Sequence, residues 1–282
     1  MPTESKAESK TKSIDDLLHL MARLRKPETG CPWDIKQDFH SIVPHTLEET
    51  YEVVDAIERG DFTHLREELG DLLFQVVFYS QMAKEQGLFE FLDVADGLNA
   101  KLLVRHPHVF PDGTLSSERL AGAAPEQAEI RHTWEKLKAQ DRLNKGRKGR
   151  LADIPLAIPA LSRAEKLQKR AANHGFDWPD YPPVLDKIDE ELAELREAIV
   201  LNNEQHIEEE LGDLMFACVS LGRHRGINLE ACLRRANRKF EARFHGMEEI
   251  AGNNSLDFEG LSLEAKNDLW EQVKKAEKDA TN

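Results

Sequence analysis

Two octapeptides, EELGDLLF at 67–74 and EELGDLMF at 209–216, are nearly the same eight residues written twice, 142 positions apart. An internal repeat decides a fold more firmly than a single motif, because each copy has to form the same unit. Laying residues 48–74 over 190–216 without a gap gives identity at 13 of 27 positions. The identities include Glu48/Glu190, Glu49/Glu191, Glu52/Glu194, Glu67/Glu209, Glu68/Glu210, Gly70/Gly212 and Asp71/Asp213. Further along, NAKLLVR (99–105) aligns with NRKFEAR (237–243), and WEKLK (134–138) with WEQVK (270–274). The offset falls as loops change length. Upstream, CPWD (31–34) and FDWP (176–179) form a looser pair. The sequence therefore predicts two copies of one domain, at 13–140 and 156–282, after a solvated, disordered tail over 1–12.

Each copy reads as helical. Val53, Val54, Ile57, Leu65, Leu69, Leu72, Leu73, Val76 and Val77 recur at three- and four-residue steps, without the alternation of a strand. ERGDFT (58–63) and NNEQ (202–205) interrupt the period, so each block predicts a helix–turn–helix hairpin. Prolines cluster at 107–111, 155–159 and 179–183, between the periodic segments. The predicted class is all-α, with four or five helices per copy in a bundle.

Composition narrows the function. The 282 residues carry a net charge of −14, which argues against a nucleic-acid polymer as partner, since phosphate backbones demand a basic footprint. The one basic run, RLNKGRKGR (142–150), lies in a segment (141–155) that reads as a flexible linker. No apolar run approaches the ~18 residues of a membrane span. The start lacks the apolar core of a secretory signal, and three cysteines without metal-ligand spacing suit reduced thiols in cytoplasm.

The repeated carboxylates carry the chemistry. Residues three apart share a helix face, so Glu49 points with Glu52, and Glu68 with Asp71. A short hairpin brings the two pairs into one groove, and the second copy does the same with Glu191, Glu194, Glu210 and Asp213. Four converging carboxylates repel one another unless a cation lies between them, and all-oxygen donors suit Mg²⁺, with Mn²⁺ as a substitute. The bland alternative is a solvated acidic helix face. Thr46 with Glu49 also spells a capping box, yet Ile188 stands at the position matching Thr46 and cannot cap. Gly70 and Gly212 each cost a helix roughly 1 kcal/mol. Their repetition implies either close approach of a backbone or ligand, or tight helix packing.

Cations repeat as well: Lys101 and Arg105 in the first copy, Lys239 and Arg243 in the second, each pair on one helix face. Trp134 with Lys138, and Trp270 with Lys274, follow at the same spacing. An acidic metal site kept together with such cations suits a polyanionic ligand.

This ordered set resembles the MazG nucleoside triphosphate pyrophosphohydrolases, most closely the two-domain bacterial form. CPWD, TLEETYEV, EELGDLLFQVVFY, RHPHVF, IPAL, GFDW and the second EELGDL fall in the order of that family, from about residue 15 to near the end. The resemblance implies helical-bundle homodimers and Mg²⁺-dependent hydrolysis of NTPs and dNTPs between the α and β phosphates. It also implies that the second copy does the chemistry. Glu191, Glu194, Glu210 and Asp213 would then be the metal ligands and catalytic carboxylates, Lys239 and Arg243 would hold phosphates, and Trp270 and Lys274 would lie near the nucleotide. Lys187, Glu190, His206 and Glu209 would line the substrate side, His206 standing where the family motif can carry lysine. Glu49, Glu52, Glu68 and Asp71 would form the equivalent set, in a first copy whose role would be structural or regulatory.

Two other readings compete. A di-iron bundle wants Glu-x-x-His pairs, which neither copy supplies at the relevant glutamates. A non-catalytic nucleotide-sensing or partner-binding module would use the same residues, and metal-dependent turnover separates it from an enzyme.

Overall fold

The computed structural model of the chain describes residues 13–119, 122, 125–144 and 149–281. The tail read over 1–12 lies outside the described residues, as do 145–148 of the expected linker. Eleven α-helices and no strand occur among the described residues. The chain divides into two compact units between Lys138 and Ala139.

The first unit holds α1 (Ile14–Leu24), the short α2 (Pro32–Lys36), α3 (Val43–Arg59), α4 (Phe62–Glu85), α5 (Phe91–Arg105) and most of α6 (Gln127–Asn144). Its core is Met21 of α1, Ile42, and Val77, Phe78 and Met82 of α4. The second unit holds α7 (Ala160–Ala172), α8 (Pro182–Val200), α9 (Glu204–His224), α10 (Leu229–Asn253) and α11 (Leu263–Thr281). There Val184, Leu195 and Ala198 of α8 and Ala217 and Val219 of α9 are buried, and Met247, Ala251 and Leu269 form a second cluster between α10 and α11.

The two hairpins share their register from the turn onward. Gly60 closes α3 in the left-handed region (φ 72°), and Asn202, 142 positions on, does the same after α8 (φ 55°). Glycine and asparagine are the residues that tolerate this conformation best. Asp61 Oδ1 then accepts from His64 N (3.0 Å), and Asn203 Oδ1 accepts from His206 N (3.3 Å), so each second helix is capped at the matching position.

Two sequence readings are corrected and a third is narrowed. Thr46 and Glu49 form no capping box, because α3 starts at Val43 with Pro44 in its first turn. Thr46 Oγ1 instead donates to Ile42 O (3.2 Å) and contacts Tyr79 Oη (3.0 Å). The segment expected as a flexible linker is helix as far as Asn144, and from Gly149 it is tied to α7. Arg170 Nη1 donates to Ala152 O (2.8 Å), Arg150 Nη1 meets His174 Nδ1 (3.0 Å), and Ile154 is buried. Finally, a Cβ placed on Gly70 or Gly212 would meet nothing within 4 Å, so packing within the chain does not require either glycine. No described helix is long and apolar enough to cross a membrane.

Candidate metal and nucleotide site

α8 and α9 run as the arms of one hairpin, and their facing sides bring together Glu191, Glu194 and Glu210. One carboxylate oxygen from each lies within 4.8 Å of the others. α3 and α4 bring Glu49, Glu52 and Glu68 together within the same 4.8 Å. Asp71 and Asp213 stand one turn further along their helices, outside these sets of three. Asp71 is still close enough for its charge to help raise the pKa of Glu49.

Glu68, Glu191 and Glu210 are buried, an unusual place for carboxylates without full compensation. Burial above all, then contact with Glu191 and Glu194, holds the Glu210 carboxyl above its ordinary range. Glu68 and Glu49 are raised chiefly by burial as well, with neighbouring carboxylates adding to it. Polar partners stand beside these carboxylates. His206 Nε2 lies 2.8 Å from Glu210 Oε1, and His64 Nε2 lies 3.0 Å from Glu68 Oε1. Lys187 Nζ sits 2.6 Å from Glu191 and 2.8 Å from Glu190, which raises the lysine's pKa strongly. Glu210 Oε2 is buried without a hydrogen-bond partner. Three clustered carboxylates, one with an orphaned buried oxygen, fit a hard divalent cation by donor type and by charge.

The remaining predicted residues fall elsewhere. Glu209 is exposed and accepts from Gln205 in its own helix (3.1 Å). Arg243 donates to Glu277 from Nε (3.0 Å) and Nη2 (2.8 Å), and its guanidinium lies 5.4 Å from the centroid of the Trp270 ring. Phe240 packs on that ring (5.5 Å), and Lys274 pairs with Glu271 (2.6 Å). Lys239 is near enough to Glu277 to lower its pKa. The cation–aromatic set thus belongs to the α10–α11 hairpin. Among the described residues no hydrogen bond or ion pair joins it to the carboxylates. In the first unit Lys101 and Arg105 lie on α5, and Lys138 Nζ caps the Trp134 ring at 3.8 Å.

A model of the MazG nucleotide pyrophosphohydrolase domain matches the chain twice, at residues 37–110 and 183–246. The nucleoside triphosphate pyrophosphohydrolase of Escherichia coli K12 is 50% identical over 270 residues, covering 94% of this chain and 98% of that protein. The chain belongs to the MazG family. The nucleoside triphosphate pyrophosphohydrolase/pyrophosphatase MazG of Thermotoga maritima is 41% identical over 261 residues, covering 93% of this chain and 95% of that protein. YabN of Bacillus subtilis, 36% identical over 260 residues, covers 92% of this chain but only 51% of its own length.

The sequence reading missed one feature of the second MazG domain. A cavity of about 770 Å³ opens between α7, the 175–178 loop and α9, and Lys187, Glu191 and Asp213 stand in its wall. Trp178 and Phe216 supply aromatic surface. The Arg223 guanidinium pairs with Asp177 and holds that carboxyl below the usual range. FDWP already contains Asp177 and Trp178, and its loose pairing with CPWD was the available signal. The contribution of α7 and Arg223 carried none, because it depends on helices that meet only in the fold.

Proposed function

We propose that the chain hydrolyses nucleoside triphosphates, ribo- and deoxyribo-, at the α–β phosphate bond with Mg²⁺, giving the nucleoside monophosphate and pyrophosphate. The observation that carries this reading is the position of Glu191 and Asp213 of the second MazG domain in the wall of the 770 Å³ cavity, with Glu194 and Glu210 clustered against Glu191. Anionic phosphates at one end and a nucleoside at the other have room there.

Glu191, Glu194 and Glu210 would hold the ion, with Asp213 beside them; Mn²⁺ would substitute for Mg²⁺. When bound, such an ion supplies neutralisation of phosphate charge and acidification of water. A carboxylate not fully committed to the ion, Glu194 or Glu191, orients a water toward the α phosphorus and takes its proton as it attacks. The water oxygen bonds to that phosphorus as the bridging P–O bond breaks. The departing pyrophosphate takes the bonding electrons, and Lys239 and Arg243 neutralise its charge. Trp270 and Lys274 accompany those cations on α11. Lys187 and Glu190 set the charge of the cradle, His206 lies against Glu210, and Glu209 lies at the rim.

Because the cations belong to a separate hairpin, completing the site requires α10–α11 to close on α8–α9, within the chain or from a second copy. A homodimer is part of this reading; exposed Ile199, Val200, Leu211 and Met215 offer apolar surface for it. Sedimentation equilibrium at twice the chain mass supports the dimer, and a monomer mass at working concentration contradicts it. The enzymatic reading is tested by titrating Mg²⁺ into the chelated protein with an NTP. Turnover that appears with the metal supports it, whereas nucleotide binding without turnover turns the account toward a sensing module.

A further inference from the structure

Three buried polar atoms, on residues that line the cavity of the second MazG domain, have no hydrogen-bond partner: Gln168 Oε1, Ser220 Oγ and Arg223 Nε. Orphaned polar atoms of this kind are costly and call for a specific explanation. Each has a local cause. Gln168 spends its amide on Phe216 O (2.8 Å), leaving its oxygen free. Phe216 O is the carbonyl four residues back that a helical serine ordinarily bonds, and Ser220 does not bond it. Ser80 in α4 does make such a bond, to Val76 O at 2.8 Å. Arg223 directs Nη1 to Asp177 (2.7 Å), leaving Nε unpaired. The result is an unpartnered acceptor, hydroxyl and donor buried in residues of one wall, with Trp178 and Phe216 lining the same cavity.

The first MazG domain is built differently at this place. Matching caps fix α4 and α9 in register, so Phe78 stands where α9 has Ser220, and Gln75 where it has Ala217. Phe78 is 1% exposed and packs with Met21 of α1, the counterpart of α7. Gln75 is also buried. The first domain keeps three clustered carboxylates and fills the space next to them.

We infer that the cavity receives the nucleobase, that Gln168, Ser220 and Arg223 read its hydrogen-bonding edge, and that Phe78 in place of Ser220 bars nucleotides from the first domain. This rests on the hydrolase reading for the identity of the ligand, and it makes these residues determinants of specificity.

The test is calorimetric titration of the full chain with Mg²⁺ and two probes: α,β-methylene analogues of the common NTPs, which bind without turning over at that bond, and inorganic tripolyphosphate, which has no base. Ser220→Phe is expected to weaken the nucleotide analogues at least about tenfold while leaving tripolyphosphate unchanged. Gln168→Leu, which gives up the bond to Phe216 O and keeps an apolar side chain against α9, is expected to weaken them several-fold and unequally among the four bases, with its melting temperature read alongside. Unchanged nucleotide affinity in both variants overturns the inference, as does equal loss of tripolyphosphate. Failure of wild type to bind any analogue overturns it too. If wild type turns over NTPs while both variants bind like wild type, this inference fails and the hydrolase reading stands. Selective loss in the variants without wild-type turnover would do the reverse.

Discussion

Glu210 concentrates the chemistry of the second domain in a single side chain. It is buried, one oxygen is held by His206 and the other has no partner, and two glutamates stand beside it. Removing its charge should therefore have opposite effects on stability and activity. Glu210→Gln is expected to raise the melting temperature of the metal-free protein while lowering turnover on the order of 100-fold or more. A variant that loses both would mark Glu210 as a packing residue. The pH dependence follows the same logic. An acid whose folded pKa lies above its unfolded one favours the neutral form in the fold, so its ionisation costs stability above the folded pKa. That cost is relieved as pH falls through the raised value toward the ordinary 4.5. Without metal, wild type should gain stability from neutral pH toward about pH 5 relative to Glu210→Gln, as thermal unfolding would show. With saturating Mg²⁺ the trend should invert, because protons then compete with the ion. Asp177 acts in the opposite sense. Its stabilisation is present above its unfolded pKa and is lost only as pH falls through its lowered folded value.

At the scale of elements, the hairpin was legible because its signals are local: apolar spacing, interrupting turns, and a repeat that fixes register. The acidic pairs could be placed on facing helices for the same reason. Two features were not legible. The reach of α6 to Asn144 takes it into the start of the basic run RLNKGRKGR (142–150), whose composition suggests a linker. The third wall of the cavity comes from α7, whose contact with α9 joins Gln168 to Phe216, 48 residues on, and no spacing rule encodes that. Gly212 shows how an element can be read correctly with its cause left open. Nothing in the chain crowds it, so Gly212→Ala should stabilise α9 by about 1 kcal/mol in the metal-free protein, measured by denaturant unfolding. If activity falls at the same time, a ligand or second subunit uses that space. If stability does not rise, helix propensity is being offset by a contact absent within the chain.

Across the whole molecule, duplication has left two carboxylate clusters and very different surroundings. The first domain pairs its cluster with a filled core, and the second pairs its own with a cavity. Neutralising the matching residue in each domain should therefore have unequal consequences. Glu68→Gln is expected to leave steady-state turnover within about twofold of wild type, since single changes at a site apart from the chemistry leave transition-state binding intact. Equal loss on Glu68→Gln and Glu210→Gln would mean that both domains turn over substrate. The central claim concerns the bond that breaks. ³¹P NMR of a mixture of NTPs and dNTPs incubated with the protein and Mg²⁺ reads it directly. The account predicts monophosphates together with pyrophosphate; diphosphates with orthophosphate, or unchanged triphosphates, would contradict it.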